Sequence, residues 1–450
     1  MQEKIDLLKD DINKLFIKYL TSSVLAAIAI SMYIFVDTMF IGIGVGSDGI
    51  AALNIAMPIF TVSSSISLML GIGGASTASV FIGRGQRDKS VKVFNISIYI
   101  CIILGIIISI FGNIFSKQIC VILGASTKIL PLVNEYLSIL ISFSWAFILS
   151  VVLGSFIRND KDPKLVMIAT VIGNITNVIL DYVFIFIFHW GMKGAVIATV
   201  ISPIVNLVIL CIHFTKKYNT LVLKKISIRF SLILRIFKNG FGTFILEVCR
   251  GTLLFMFNKT LMNLGGEIYV SAYGIITNIA YVGTCIFAGI AQCIQPIVSV
   301  NFGGKKTDRV YEALKYALFT AISLAIFCYG LLLIFPKDIV GIFTKGNTEL
   351  INICVKGIRL YFLGYVFCAS NVVSLYFLQS IEKAKASIFL SLSSGIIFSS
   401  LGLLILVPLL NVSGVWLTVP FAEGITFIIS IILVKKYKKS LLLNKEKINC

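Results

Sequence analysis

The chain has little charge. Only 13% of its 450 residues are Asp, Glu, Lys or Arg, against about 25% in soluble domains. Histidine occurs twice, at His189 and His213, each at the end of an apolar run and in no metal-binding pattern. The ten cysteines lack CxxC spacing and mostly fall inside apolar runs, which suits small buried side chains better than ligands or disulfides. No P-loop, HExxH or GxSxG pattern and no nucleophile–base motif occurs, so the sequence offers neither an enzyme's catalytic pair nor a nucleotide-driven pump. Any energy must come from an ion gradient or a partner. The N-terminus, MQEKIDLLKDDINKLFIKYL, lacks a small-residue cleavage site. It reads as an amphipathic helix leading into the first apolar run. The net charge of +19 is spread over alternate loops instead of one basic domain, which argues against nucleic acid as a partner.

What fills the chain is apolar: 58% of residues are hydrophobic. Twelve runs have membrane-spanning length, at about 16–43, 50–81, 91–115, 135–157, 165–188, 194–213, 241–264, 269–302, 311–335, 357–379, 386–408 and 414–434. The expected fold is an all-α membrane protein with twelve transmembrane helices in two pseudo-symmetric six-helix bundles. Basic residues concentrate in alternate segments: Lys4 to Lys18, Arg84 to Lys92, Arg158 to Lys164, Lys216 to Lys238, Lys305 to Lys315, Lys383 with Lys385, and the tail from Lys435. The other set holds little beyond Lys117, Lys128, Lys193, Lys337 and Lys345. The positive-inside rule makes the first set cytoplasmic and puts both termini inside.

A shift of about 220 residues superimposes the halves: Ser79, Val80 and Gly83 meet Ser299, Val300 and Gly303, and Asp88-Lys89 meets Asp308-Arg309. Two lobes of parallel topology follow, with a cleft between them as the natural substrate path. The expected division is an N-lobe at 1–213, a cytoplasmic linker at 214–240, a C-lobe at 241–434 and a basic tail at 435–450. Pro58, Pro203, Pro296 and Pro420 lie inside spans, either as plain kinks or as hinges for alternating access.

Two acids stand alone in the N-terminal half. Asp37 lies in the first span with Tyr33 one turn before it. Asp181 lies in the fifth, with Asn174 and Asn177 stacked on the same helix face. A carboxylate at mid-membrane depth costs roughly 2.5–3.5 kcal/mol even on lenient scales. No basic residue falls inside the first six spans to repay it, although a backbone partner would be the plain alternative. Low-dielectric surroundings and a second nearby carboxylate favour the protonated form, so such a pair can take and release a proton. The C-terminal half has no acid equivalent to Asp181. Its buried charges are Glu247 and Arg250, spaced for an internal ion pair, with Arg359 and Glu423. Asn278, Gln292, Gln295 and Asn371 add polar points, each explicable as an interhelical hydrogen bond.

These residues resemble the multidrug and toxic compound extrusion (MATE) family, near its bacterial MepA- and DinF-like members. The resemblance rests on Tyr33-Ile34-Phe35-Val36-Asp37 in the first span, Asn174-Ile175-Thr176-Asn177-Val178-Ile179-Leu180-Asp181 in the fifth, the run from Met192 to Ser202 in the sixth, and Gln295-Pro296 with Asn301-Phe302-Gly303 in the eighth. It implies a V-shaped antiporter of two six-helix lobes, without a cofactor, in the bacterial plasma membrane and expected as a monomer. It would export organic, often cationic, compounds against an inward flow of protons or sodium ions. The family's N-lobe site maps to Tyr33, Asp37, Asn177, Asp181 and Thr199. Glu247 resembles the seventh-helix acid of the sodium-coupled branch, but Asn371 stands near where that branch has a tenth-helix aspartate. A lipid-linked precursor flippase of the same superfamily is the alternative function, and Arg250 and Arg359 would be its candidate pyrophosphate ligands.

Overall fold

In lipid every backbone N–H and C=O must be satisfied internally, so apolar runs of this length become helix. The computed structural model describes residues 5–225, 227, 229–344 and 347–449, with side chains through residue 440. Among them there is no strand. The helices are α1 (Ile12–Gly44), α2 (Ser47–Gly83), α3 (Arg87–Ile114), α4 (Ser116–Ile122), α5 (Leu130–Ser142), α6 (Ser144–Asn159), α7 (Pro163–Tyr182), α8 (Gly191–Cys211) and α9 (Phe230–Gly265). They continue as α10 (Glu267–Gly303), α11 (Thr307–Ile334), α12 (Pro336–Gly341), α13 (Thr348–Tyr361), α14 (Tyr365–Ser380), α15 (Ala384–Leu392), α16 (Phe398–Leu410) and α17 (Val412–Asn449). Eleven stretches are long and apolar enough to cross a membrane unaided, and α5 with α6, bent by 46°, make a twelfth.

The internal repeat is visible in the backbone. Helices α2 and α10 both have 37 residues, and α3 and α11 both have 28. The turns that enter α2 and α10 use Gly46 (φ 88°) and Gly266 (φ 74°), a left-handed conformation that a side chain would strain. A π-helical turn follows α7 at Val183–Ile187 and another follows α15 at Ser393–Ile397.

The predicted linker is shorter than expected, because residues 230–240 are the first turns of α9. Arg235 and Lys238 make this stretch too charged to read as membrane. Leu232 and Ile236, on one face of it, are buried in the N-terminal lobe's core together with Leu221. The exchange is mutual, since Ile5, Leu7, Leu15, Phe16 and Tyr19 are buried in the C-terminal lobe's core. The two cores therefore do not divide at 213 and 241.

The hydrogen bonds that join α2 or α6 to α9 or α10 lie in the half of the bundle nearer its basic end. Gln295 donates to the Ile72 carbonyl at 3.0 Å, Asn239 to Ser76 Oγ at 2.6 Å, and Arg158 to Gln292 at 2.7 Å. At that end Glu382 accepts from Arg235 Nε at 2.7 Å and Nη2 at 2.6 Å, and Arg84 of the other lobe stands 3.9 Å away.

A buried polar cluster ties the linker to the N-terminal lobe. His213 sits between two carboxylates, Nε2 at 2.9 Å from Asp160 and Nδ1 at 3.0 Å from Asp162, the arrangement of an imidazolium that donates twice. Asp160 also accepts from the Thr220 hydroxyl and backbone N–H, and Asp162 from Lys216 Nζ at 2.6 Å. Burial alone would raise the Asp162 carboxyl, but its bonds to His213 and Lys216 hold it below the ordinary value. Its stabilising contribution is therefore complete above the ordinary carboxylate range and is lost as pH falls through the lowered value. Asp162→Ala leaves the imidazole and ammonium short of a counter-charge. The expected destabilisation is about 3–5 kcal/mol, seen as a lower melting temperature in detergent at pH 7 and a much smaller difference from wild type in strong acid. An unchanged melting temperature at pH 7 contradicts this assignment.

Candidate functional site

The site is built from α1, α5, α7 and α8, each of which supplies polar side chains to it. On α1 Tyr33 and Asp37 share a face, and on α7 Asn177 and Asp181 do the same. Asp37 is 7% exposed, Asp181 and Asn177 are fully buried. The carboxyl groups of Asp37 and Asp181 come within reach of each other. Two carboxyl groups can hydrogen-bond only when a proton lies between them. With its amide turned to satisfy both neighbours, Asn177 donates to Asp181 Oδ2 at 3.1 Å and accepts from the Thr199 backbone N–H at 3.3 Å. The Thr199 hydroxyl donates to the Ala195 carbonyl at 2.9 Å and lies within reach of the Tyr136 hydroxyl. Asp37 Oδ1 and Asp181 Oδ1 are buried with no protein partner, and among the described residues neither acid has an ion pair.

Beside the acids lies a pocket. Tyr33, Asp37, Thr38, Phe60, Tyr136 and Thr199 are among its walls. Tyr33 is within electrostatic range of both carboxyl groups. A proton or a small monovalent cation would satisfy the two stranded carboxyl oxygens, and an apolar, aromatic wall with a few polar points suits an organic guest.

Of the residues singled out in the sequence, Tyr33, Asp37, Asn177, Asp181 and Thr199 come together. Asn174 does not join them: it is half-buried, one turn along α7, and its Nδ2 has no partner. Tyr136 was not singled out. It is one aromatic in a chain with 53 Phe, Tyr and Trp residues, and no local pattern announces that it reaches Thr199.

In the C-terminal lobe Arg250 Nη1 donates to Glu247 Oε1 at 2.7 Å, the internal pair that the spacing allowed. Asn371 Nδ2 donates to Glu423 Oε2 at 2.7 Å, joining α14 to α17. Asn278 is exposed on α10, and its side chain makes no hydrogen bond among the described residues. Arg359, expected to be buried, is exposed. It sits near the end of α13, where its long side chain can reach water. The expectation that no basic side chain enters the first six spans is also corrected. Arg158, counted with a loop, belongs to the last turn of α6 and bonds Gln292 on α10.

Comparison with known proteins bears on this arrangement. A family model described as MatE matches residues 22–183 and 242–404, one copy in each half of the repeat. The multidrug export protein MepA of Staphylococcus saprophyticus is 24% identical over 425 residues, covering 93% of this chain and 92% of its own. MepA of Staphylococcus haemolyticus is 25% identical over the same shares. Among solved structures, the outward-facing conformation of a multidrug resistance MATE family transporter of the MOP superfamily superposes with a TM-score of 0.92 at 20% identity, covering 98% of this chain and 99% of that one. A crystal structure of MATE in the straight conformation gives the same values. The twelve-span repeat and the two matched halves agree: this chain is a membrane transporter, not an enzyme, and it belongs to the MatE family.

Proposed function

We propose that the protein exports small organic compounds, many of them cationic, by antiport against protons or sodium ions. The observation that carries this reading is the buried pair Asp37–Asp181, joined through Asn177 to Thr199 and set beside an aromatic pocket. An acid pair with no basic partner must be neutralised by something that arrives. A proton or monovalent cation can do so, and so can the charge of an organic cation. Competition between the two for one pair of carboxyl groups is the simplest form of antiport.

The basic end is read as cytoplasmic, with the chain in the bacterial plasma membrane and acting as a monomer. The lobes are then joined on the cytoplasmic side, and the acid pair lies nearer the outer side. Asp37 is 25 residues beyond the start of α1, about 37 Å along the helix. The flippase alternative needs cleft-facing cations for a pyrophosphate. Glu247 neutralises Arg250 and Arg359 is exposed, so neither of the arginines that reading named supports it.

Vesicles loaded with rhodamine 123 and given separately imposed proton and sodium gradients test the coupling. Efflux is expected with at least one ion gradient and should stop when that gradient is collapsed. Efflux indifferent to both ions overturns the antiport reading.

A further inference from the structure

Arg158 is a cation without a counter-ion, placed where the two lobes meet. It closes α6, and its guanidinium crosses to α10, where Gln292 Oε1 accepts from Nη1 at 2.7 Å. Among the described residues it has no ion pair. The acids close by are committed elsewhere: Asp160 and Asp162 serve His213, Thr220 and Lys216, and Glu247 serves Arg250. The ionisable side chains within electrostatic range of the guanidinium are Tyr376, Cys293 and Tyr19, none of them an acid at neutral pH. The Tyr376 hydroxyl lies within reach of the same Gln292. The Tyr19 hydroxyl is fully buried and has no partner.

Arg158 and Gln292 remain half-buried although both lobes wrap them. Toward the basic end, residues 69–81 of α2 and 293–301 of α10 are buried without a break. Gln292 and the guanidinium it holds thus lie at the edge of that sealed layer, on the side away from the basic end. A guanidinium offers five N–H donors in a fork that fits a carboxylate or phosphate bidentately. Here one donor is occupied, by a neutral amide oxygen.

We propose that Arg158, supported by Tyr19 and Tyr376, recognises an oxyanion group, carboxylate or phosphate, on an exported compound. This rests on the export reading and widens its substrate class from organic cations to amphiphiles that also carry an acidic group. The site is distinct from the carboxyl pair. Tyr19 and Asp37 are 18 residues apart on α1, about 27 Å along the helix, so one small molecule does not touch both at once.

Rhodamine 110 and rhodamine 123 share a cationic ring system and differ in one group, a free carboxylic acid against its methyl ester. Binding of each to the purified full-length transporter is followed by fluorescence polarisation. The wild type is expected to favour the free acid about tenfold, the effect of one charge-assisted contact. Gln292→Glu keeps the cross-lobe bond but supplies a resident carboxylate, and it should bring the affinity ratio close to one. Arg158→Gln should do the same, and Arg158→Lys should leave an intermediate ratio. A wild-type ratio near one, or a preference that survives in Gln292→Glu, overturns the oxyanion site. Glycerol phosphate should compete with rhodamine 110. Competition by phosphatidylglycerol nanodiscs and not by glycerol phosphate would hand the site to a lipid headgroup and overturn its assignment to substrate. Failure of energised vesicles to move rhodamine 123 strikes the export reading alone, because the affinity ratio is read without transport.

Discussion

Asp181→Asn and Asp37→Asn are each expected to bring ion-driven efflux down to the level of protein-free vesicles while the protein still folds and inserts. Asparagine matches the shape of aspartate and keeps an acceptor for Asn177, whose amide now donates to Asp181 Oδ2 at 3.1 Å. What it removes is the capacity to gain and lose charge. Stability should move the other way. Each acid is buried with a stranded oxygen and no basic partner, so its presence costs the fold. Replacing it is expected to be neutral or to stabilise by about 1–2 kcal/mol, a few degrees in melting temperature. Loss of efflux with a level or higher melting temperature identifies functional acids held at the expense of stability. Loss of efflux with a markedly lower melting temperature would mean that the acids are structural, and full efflux in both variants would remove the pair from the mechanism. Glu247→Gln should impair efflux less than either, because Glu247 is already neutralised by Arg250 at 2.7 Å.

The acids were legible because a carboxylate in an apolar run has no bland explanation, and Tyr33 and Asn177 followed from helical spacing. Thr199 came with the family resemblance. Helical spacing also pointed to Asn174, which the structure leaves outside the site. A face of a helix is about a third of its surface, and spacing does not say which part of that face meets a neighbour. Tyr136 was illegible for a different reason: its role is a contact between α5 and α8, and contacts between distant helices leave no mark in local sequence. Arg158 shows how a correct rule can hide a site. Counted among cytoplasmic loop cations it helped to orient the chain, yet its side chain turns inward to Gln292. The twelve spans were readable from hydropathy, and the repeat from residues that recur about 220 positions apart. The exchange of leading segments was not, because the apolar side chains involved, from Ile5 to Tyr19 at one end and Leu221, Leu232 and Ile236 at the other, could have packed on either lobe.

Gly240→Ala is expected to tip the transporter toward the state in which its basic end is open, and to slow or stop export. A Cβ at Gly240 would lie 1.9 Å from the Met69 carbonyl oxygen, and one at the facing Gly73 would lie 2.3 Å from the Ile236 carbonyl oxygen. The second crossing repeats the device: a Cβ at Gly83 would meet the Val300 carbonyl oxygen at 2.0 Å, and one at Gly303 would meet that of Val80 at 2.2 Å. The obstacles are backbone atoms, which no rotamer change can move aside. Two helices that touch backbone to backbone must separate by an ångström or more to admit a methyl group, and overpacking of this kind costs about 1–3 kcal/mol or more. The cost applies only while the lobes are joined at this end, since parting them frees the glycine face. A penalty of about 1.4 kcal/mol on one state alone shifts the population tenfold. Spin labels at Lys89 and Lys305, one on each lobe at the basic end, should report a longer and broader distance distribution in Gly240→Ala and in Gly83→Ala than in the parent. Gly274→Ala is the control, because its Cβ would meet nothing within 4 Å, and it should leave the distribution alone. Unchanged distances in both crossing variants would mean that α2 slides past α9 and α10 at little cost, and that close approach at these glycines does not hold the basic end shut.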